Sequence, residues 1–257
     1  MSWIDSHVHL THFDSDDEID KVLTESIEKG GKYFFQGGID PDDWQKQTEI
    51  KMRYPNTVGM SFGLHPWFVD LQTNEICELA FSKLKKIIHE ADALGECGLD
   101  YSRKTDHSHQ SRQVEYFRKQ LDLAQESTKP LVLHIVSAHH QTLEMLKNRT
   151  QKHYRGLIHS FSGNLEIANQ YIDLGFLISV GPGVIARDGF FALKKMIGKV
   201  DLNHIVLETD APDQLKKPTQ ILEVAQAISE LKAESTGETQ DEILQVTEAN
   251  FRRVFQC

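Results

Sequence analysis

The sequence predicts an α/β protein, a (β/α)8 (TIM) barrel with a closing helix at the C-terminal end. Its 257 residues suit one such barrel. Short apolar or β-branched runs alternate with amphipathic helical stretches about eight times, which indicates parallel βαβ units. No linker, repeat or low-complexity tract interrupts the pattern, so residues 1–257 are interpreted as a single domain. A doubly wound open sheet is the alternative architecture.

The strand candidates are short runs bounded by turn residues or by helical periodicity. The first run opens with an apolar residue and alternates faces, and the fifth begins directly after Pro130. In chain order the predicted strands are Ile4–His9, Tyr33–Gln36, Val58–Leu64, Ala93–Gly98, Leu131–Ile135, Leu157–Ser160, Phe176–Val180 and His204–Glu208.

The helix candidates lie between these strands and carry recognisable start and stop signals. The first begins with acidic residues and ends at Gly30-Gly31, and the second ends before Tyr54-Pro55. The predicted helices are Asp16–Lys29, Asp42–Arg53, Asn74–Glu90, Gln110–Glu126, His139–Lys147, Asn164–Leu174, Asp188–Ile197, Thr219–Lys232 and the closing helix Gln240–Phe255.

Composition excludes some classes of protein. The net charge is −10 and no block of Lys or Arg is present, which argues against nonspecific duplex binding through a basic face. A phosphate ester stays a possible substrate because bound metals can attract an anion into an acidic protein. We expect no membrane span, no secretory signal and a cytoplasmic location, with Cys77 and Cys97 as free thiols.

His7 and His9 suggest a metal site. Residues two apart in an extended chain project from the same face, so both rings can enter one cavity. Imidazole is a good ligand for zinc and similar first-row metals. The alternative is an amphipathic edge strand with two half-buried histidines.

The other predicted strand ends decide between a metal site and an edge strand, because catalytic groups of such barrels come from the C-terminal ends of the strands. Ligand-type residues stand at or near most of them: His7, His9, His65, Glu96, His134, His159 and Asp210. Strands two and seven end in glycine-containing turns with no evident ligand, at Gly37-Gly38 and Gly181. These residues exceed what one tetrahedral zinc needs, so we expect two divalent metal ions that share a carboxylate. Zn, Mn, Ni or Mg would suit the mixed donors, and such a site can hydrolyse phosphodiesters, amides or lactones.

Residues next to these positions receive simpler interpretations. Asp100 either accepts a hydrogen bond from a ligand histidine or caps a turn, and Glu208 is expected to be a buried acid behind Asp210. Cys97 faces away from Glu96 and is expected in the core. The remaining histidines are predicted to lie at the surface, with His107 and His109 in a polar loop: His12, His89, His107, His109, His139, His140, His153 and His204.

Taken together, the motifs resemble the TatD family of metal-dependent hydrolases, from one end of the chain to the other. The motifs are Asp5–Leu10, Gly63–Pro66, Gly95–Asp100, the spacing of Gln110, Phe117 and Gln120, Pro130 with His134, His159–Gly163, Glu208–Pro212, and Asn250-Phe251 with Phe255. The resemblance implies a TIM barrel of the amidohydrolase superfamily with a dinuclear divalent site. For several members it also implies magnesium- or manganese-dependent deoxyribonuclease activity.

The resemblance also implies roles for individual residues. His7, His9 and Asp210 would bind one metal, His134 and His159 the other, and Glu96 both. Asp210 would in addition orient or deprotonate the attacking water. His65 would contact the substrate phosphate.

The sequence departs from the family pattern in two places. An arginine and an acid that usually follow the fifth-strand histidine are replaced in the stretch from Ile135 to Ala138, and the loop from Asp213 to Pro218 lacks the usual Arg-Gly and Asn-x-Pro. In this loop Lys216 and Lys217 are candidate replacements for a phosphate-contacting arginine.

The leading hypothesis is a phosphodiesterase that acts on DNA ends or single strands, with no membrane association and no obligate protein partner. A lactonase, amidase or deaminase on the same barrel is the alternative. A non-enzymatic binding protein is disfavoured, because crowded titratable side chains are costly in a cavity without metal.

Overall fold

A computed structural model describes residues 1–102, 107–151 and 153–256. Its eight strands are all parallel and follow chain order around one sheet. They are β1 (Trp3–Val8), β2 (Gly31–Gln36), β3 (Val58–Phe62), β4 (Ala93–Asp100), β5 (Leu131–Val136), β6 (Gly156–His159), β7 (Phe176–Val180) and β8 (Ile205–Leu207).

The sheet closes between the first strand and the segment that follows the eighth. The backbone N–H of Asp210 donates to the carbonyl of His7 at 3.0 Å, and the N–H of His9 donates to the carbonyl of Ala211 at 2.8 Å. The predicted barrel is therefore confirmed, and the open doubly wound sheet is excluded. Closure also brings Asp210 beside the two histidines of the first strand, at opposite ends of the sequence.

The helices lie between successive strands, as predicted, with one addition and several shifted ends. They are α1 (Asp16–Glu28), α2 (Pro41–Arg53), α3 (Pro66–Leu71), α4 (Asn74–Ile87), α5 (His107–Ser127), α6 (His139–Lys147), α7 (Leu165–Asp173), α8 (Phe191–Ile197), α9 (Ile221–Lys232) and α10 (Gln240–Phe255). None of the helices in the described part of the chain is long and apolar enough to cross a membrane.

Two corrections to the predicted elements concern the catalytic face of the barrel. Helix α3 was not predicted because its six residues are too few to show helical periodicity. Its start is nevertheless well defined, with Pro66 in the first turn and the His65 side chain as N-cap. The backbone of His107 and His109 belongs to the first turn of α5 and not to a loop. The polar sequence hid this turn, since the apolar periodicity of α5 begins only at Val114.

The closing helix α10 fills the end of the barrel opposite the strand carboxyl termini. Phe251 and Phe255 join the buried cluster formed by interior residues of the strands. The ring of Phe35 lies 5.4 Å from that of Phe251 and 4.9 Å from that of Phe255, measured between centroids. Burying an aromatic side chain of this size stabilises a fold by about 1.5–3 kcal/mol.

A second, larger apolar cluster fills the layer between the strands and the surrounding helices. Cys97 lies there, fully buried, as its alternation with Glu96 predicts. Cys77 is also buried, and both thiols are free. The third strand ends at Phe62, two residues before the predicted Leu64. The next residue, Gly63, lies close to the fourth strand, and a Cβ atom there would stand 2.5 Å from the carbonyl oxygen of Glu96.

Candidate metal centre

The carboxyl end of β1 is held by a buried hydrogen-bond network. The Asp5 side chain accepts from the backbone N–H groups of His7 at 3.3 Å and Thr209 at 3.0 Å, and also from the Thr209 hydroxyl. Burial raises the pKa of this carboxyl to about 8, although the hydrogen bonds from Thr209 and His7 oppose the shift. Asp5 thus ties the first strand to the segment after the eighth, directly beneath the two histidines.

Four buried side chains converge above this network. The Nε2 atoms of His7 and His9 are 3.3 Å apart, and each lies 3.3 Å from Oε1 of Glu96. Oδ1 of Asp210 lies 3.2 Å from Nε2 of His9 and 3.8 Å from Nε2 of His7. Ligand atoms of a tetrahedral zinc ion stand about 3.3 Å apart, so the two Nε2 atoms and Oε1 of Glu96 have the spacing of a metal site.

A second group meets the other oxygen of the same glutamate. Oε2 of Glu96 lies 3.5 Å from Nδ1 of His134 and 3.8 Å from Nε2 of His159. Oδ2 of Asp210 is 3.7 Å from Nε2 of His159. The two oxygens of Glu96 therefore face two different sets of imidazole nitrogens.

The polar atoms of this cluster are better placed to bind cations than to form hydrogen bonds with one another. Oε1 of Glu96 and Oδ1 of Asp210 are buried and have no hydrogen-bond partner, and the same holds for Nδ1 of His7 and His9. A buried polar atom without a partner costs about 1–3 kcal/mol, and more when it is charged. A divalent ion bound between the carboxylates and the Nε2 atoms would satisfy both oxygens.

Electrostatics support the same conclusion. Burial would raise the pKa values of Glu96 and Asp210, yet the surrounding imidazoles hold both well below their usual range. Burial would lower the pKa values of His9 and His159, yet neighbouring carboxylates, Asp210 for the first and Glu208 for the second, raise each to about 10. Without metal, the cluster keeps its carboxylates ionised and holds protons on imidazoles.

Two further carboxylates determine which nitrogen of His134 and His159 faces the centre. Oδ2 of Asp100 lies 3.0 Å from Nε2 of His134, and Oε2 of Glu208 lies 3.1 Å from Nδ1 of His159. A carboxylate only accepts hydrogen bonds, so these nitrogens keep their hydrogens and the other nitrogen of each ring can bind a metal. Asp100 also accepts from the backbone N–H of Ser102 at 2.9 Å, so both of its expected roles occur together.

His65 lies in the same cluster, but the nitrogen that it presents to the centre carries a hydrogen, unlike the nitrogens that His134 and His159 present. Its Nδ1 accepts a hydrogen bond from the backbone N–H of Trp67 at 3.1 Å, so the neutral ring carries its hydrogen on Nε2. Burial and the adjacent His134 lower the pKa of His65 well below its usual value. Its Nε2 points to the centre, 4.0 Å from Oε2 of Glu96. His65 is thereby preset as a neutral N–H donor, and it could bind a metal only by giving up its bond to Trp67.

Comparison with known proteins shows which family the chain belongs to. The family model described as TatD related DNase matches residues 4–256. The chain belongs to the TatD family of metal-dependent hydrolases. An uncharacterised metal-dependent hydrolase of Buchnera aphidicola is 30% identical over 99% of both chains. A Danio rerio protein whose name classes it provisionally as a deoxyribonuclease is 26% identical, over 98% of this chain and 97% of its own. The crystal structure of a TatD homologue from Escherichia coli K12 superposes with a TM-score of 0.86 at 26% identity, covering 99% of this chain and 98% of that one.

This TatD-family chain has residues at its centre that the sequence did not reveal. His12 was assigned to the surface, and its side chain is 31% exposed. Its ring nevertheless stacks on that of His9 at 4.7 Å between centroids, and its Nδ1 lies 2.9 Å from Oδ1 of Asp213. The side-chain amide of Gln214 donates to Oδ2 of Asp210 at 2.6 Å. The only sequence signal was position, since all three follow the motifs of the first and eighth strands within a few residues.

The other histidines of the TatD-family chain whose side chains are described lie away from the centre, but not all at the surface. His139 is partly buried, with its Nδ1 3.2 Å from the Tyr171 hydroxyl, because α6 packs against α7 at this point. His109 and His204 are also partly buried, which corrects their predicted exposure. The side chain of His107 lies outside the described residues. The remaining three are exposed, as predicted: His89, His140 and His153.

A cavity of about 560 Å³ opens onto the metal centre of this hydrolase. Among the described residues that line it, none is Lys or Arg, and much of the wall is apolar. Lys216 and Lys217 do not line it, and Nζ of Lys217 instead bonds to Oε2 of Glu25 at 2.8 Å. The proposed replacement of an arginine by these lysines therefore receives no support from their position.

Proposed function

We propose that this TatD-family hydrolase uses two divalent metal ions to hydrolyse phosphodiester bonds of DNA, at ends or in single strands. The proposal rests on one observation: the two oxygens of the Glu96 carboxylate face different histidines. Oε1 lies 3.3 Å from Nε2 of His7, and Oε2 lies 3.5 Å from Nδ1 of His134. Two sets of ligands that share a carboxylate are typical of two-metal hydrolases. Mg, Mn, Zn or Ni would suit the mixture of imidazole and carboxylate.

The resemblance to the TatD family assigns the residues to the two ions. His7, His9 and Asp210 would hold the first ion, His134 and His159 would hold the second, and Glu96 would bind both. Ions bound there would supply a nucleophilic water at neutral pH and offset the negative charge of the phosphate.

The protein itself would orient the reacting groups. Asp210 is ionised at neutral pH, because the imidazoles around it hold its pKa well below the usual range. It would accept a hydrogen bond from the attacking water while the amide of Gln214 fixes its other oxygen at 2.6 Å. His65, whose hydrogen is on Nε2, would donate to a phosphate oxygen. A donor that is oriented before the reaction stabilises the developing charge without reorganisation.

The test is cleavage of end-labelled single-stranded DNA with Mg²⁺ or Mn²⁺. We expect Asp210→Asn and Glu96→Gln to lose activity by about 10²–10⁴-fold while the metal-free fold, followed by circular dichroism, is retained. Asp173→Asn is the matched control, because this carboxylate is exposed at the opposite end of the barrel. Cleavage by either active-site variant at the wild-type rate would refute the mechanism.

A specific observation favours a second candidate, a hydrolase of small lactones, amides or related carbonyl compounds. The described lining of the cavity is largely apolar and offers no Lys or Arg to a polyanion. The same two-metal arrangement can activate water for attack on a carbonyl carbon. Turnover of small esters and lactones by metal-loaded protein that leaves every DNA substrate intact would establish this function instead.

A further inference from the structure

We propose that the cavity beside the metal centre binds one planar aromatic group of the substrate, next to the scissile bond, between two apolar walls. The inference rests on the proposed function for the choice of a phosphate ester as the reacting group. It adds that the substrate is recognised through this aromatic group and not through a row of phosphates.

The first wall is formed by α3. Trp67, Phe68 and Leu71 line the cavity, and the exposed fractions are 41% for Trp67 and 71% for Leu71. The indole N–H of Trp67 donates to Oδ2 of Asp100 at 2.8 Å, the same oxygen that orients His134. The wall is thus fixed to residues of the metal centre, so a group seated on it has a defined position relative to the reacting bond.

The second wall lies across the cavity, at the start of α8. Phe190, which is 47% exposed, lines the cavity together with the buried Leu193 and Phe161. Gly183 permits this packing, because a Cβ atom there would stand 2.8 Å from Cδ2 of Leu193 and 3.0 Å from Cδ1 of Phe190. Large apolar side chains exposed on both sides of a catalytic cavity indicate a surface that an apolar ligand covers.

The charges that line the cavity favour a neutral planar ligand over a long polyanionic strand. Besides the carboxylates of the metal centre, Asp40 and Asp213 line the cavity, and no cationic side chain does so among the described residues. One phosphodiester would lie at the metal centre, but additional phosphates of a long strand would find no cationic side chain among the described residues that line the cavity. A neutral planar group, in contrast, gains apolar contact on both faces. The volume of about 560 Å³ lies within the range of small-molecule sites, about 300–1,000 Å³, and suits a nucleotide-sized ligand.

A binding experiment tests the inference without turnover. Trp67 is 41% exposed, whereas Trp3 and Trp44 are each 1% exposed, so a ligand between the walls should change chiefly the fluorescence of Trp67. The probes are thymidine monophosphate, benzyl phosphate and 2-deoxyribose 5-phosphate, each with Mg²⁺-loaded protein. We expect the first to bind about 5- to 100-fold more tightly than deoxyribose 5-phosphate, the range of one base stacked on aromatic side chains.

Benzyl phosphate separates two sources of the aromatic group. Binding equal to that of thymidine monophosphate would assign the cavity to aryl groups in general, and weaker binding would assign it to a nucleobase. Equal binding of all three probes, or an unchanged fluorescence spectrum, would overturn the inference.

Variants locate the contact. Phe190→Ala and Leu71→Ala truncate exposed side chains, one on each wall, and should each reduce the preference for thymidine monophosphate about 3- to 10-fold while binding of deoxyribose 5-phosphate stays constant. The matched control is Phe191→Ala, because Phe191 is 78% exposed but does not line the cavity. An unchanged preference in both wall variants, or an equal loss in the control, would refute the location.

The two proposals can fail separately. Hydrolysis of dithymidine monophosphate is compared with hydrolysis of the same diester without its bases. Failure to cleave any phosphodiester, with the binding preference intact, would refute the proposed nuclease and leave the aromatic site standing. Cleavage of both diesters with equal kcat/KM, together with equal binding of the probes, would refute the aromatic site alone.

Discussion

Gly37 provides the sharpest test of the metal centre. It has no Cβ atom, and the space that a Cβ atom would fill is occupied by two predicted ligands, His7 and Glu96. A Cβ atom at this position would stand 2.3 Å from Cε1 and 2.6 Å from Nε2 of His7, and 2.7 Å from Oε1 of Glu96. Carbon atoms in contact are about 3.5–4.0 Å apart, so Gly37→Ala would displace the imidazole by about 1 Å. A displacement of this size is enough to disable a designed or natural metal site.

We expect Gly37→Ala to lower metal affinity about 10- to 100-fold, which corresponds to about 1.4–2.7 kcal/mol. The assay is competition with a chelator of known affinity, alongside thermal unfolding of the metal-free protein. The control is Gly198→Ala at the end of α8, where a Cβ atom would approach no neighbouring atom more closely than 3.3 Å.

A double-mutant cycle identifies the atoms responsible. If Gly37→Ala acts by displacing His7, it should cost much less affinity in a His7→Ala background, where the imidazole is already absent. Affinity within twofold of wild type in the single variant would refute the reasoning. Equal losses in both backgrounds would show that the variant acts elsewhere.

Three further results are expected. Asp100→Asn should weaken metal binding about 10- to 100-fold in the chelator competition, because His134 loses the carboxylate that orients it at 3.0 Å. Metal binding at pH 7–8 should release protons, since the pKa values of His9 and His159 are raised to about 10 and their protons must leave. Apparent affinity should then rise with pH about tenfold per unit for each proton released, as measured by calorimetry in buffers of different ionisation enthalpy. Removal of metal by a chelator should lower the melting temperature by about 5–10 °C when the metal had been present at about 100 times its Kd.

Each of these results has a contrary outcome. Wild-type affinity in Asp100→Asn would show that the His134 ring is oriented by other contacts, and Asp173→Asn again serves as control. An affinity independent of pH between 7 and 8 would mean that the imidazoles are already unprotonated. An unchanged melting temperature in chelator would contradict metal binding that is linked to the folded state.

The order of elements and most positions of the candidate site could be predicted from the sequence. Alternation of strands and helices indicates a parallel barrel, and every strand of such a barrel ends at the same face. Residues as distant in the chain as His7 and Asp210 were therefore expected to meet, and their side chains lie 3.8 Å apart. Cys97 was assigned to the core by the two-residue period of a strand, which places it opposite Glu96.

The short and irregular elements could not be predicted, because they carry too little periodicity. Helix α3 has six residues, yet it supplies one wall of the cavity. The first turn of α5 is polar and resembles a loop, although its backbone is helical. His12 was assigned to the surface because its partner Asp213 stands 201 residues away in the chain and approaches it only in the folded barrel.

The sequence by itself thus indicated the order of strands and helices, the face at which the strands end and the residue types expected there, because local periodicity suffices for these three. Closure of the sheet into a barrel was decided by hydrogen bonds between the first strand and the segment after the eighth. Only the tertiary structure decided how those residues are used. The carboxylates of Asp100 and Glu208 select the nitrogen that His134 and His159 present to the centre, whereas a backbone N–H makes His65 a donor. These distinctions depend on differences of a few ångströms between atoms of separate strands, which no spacing along the chain encodes.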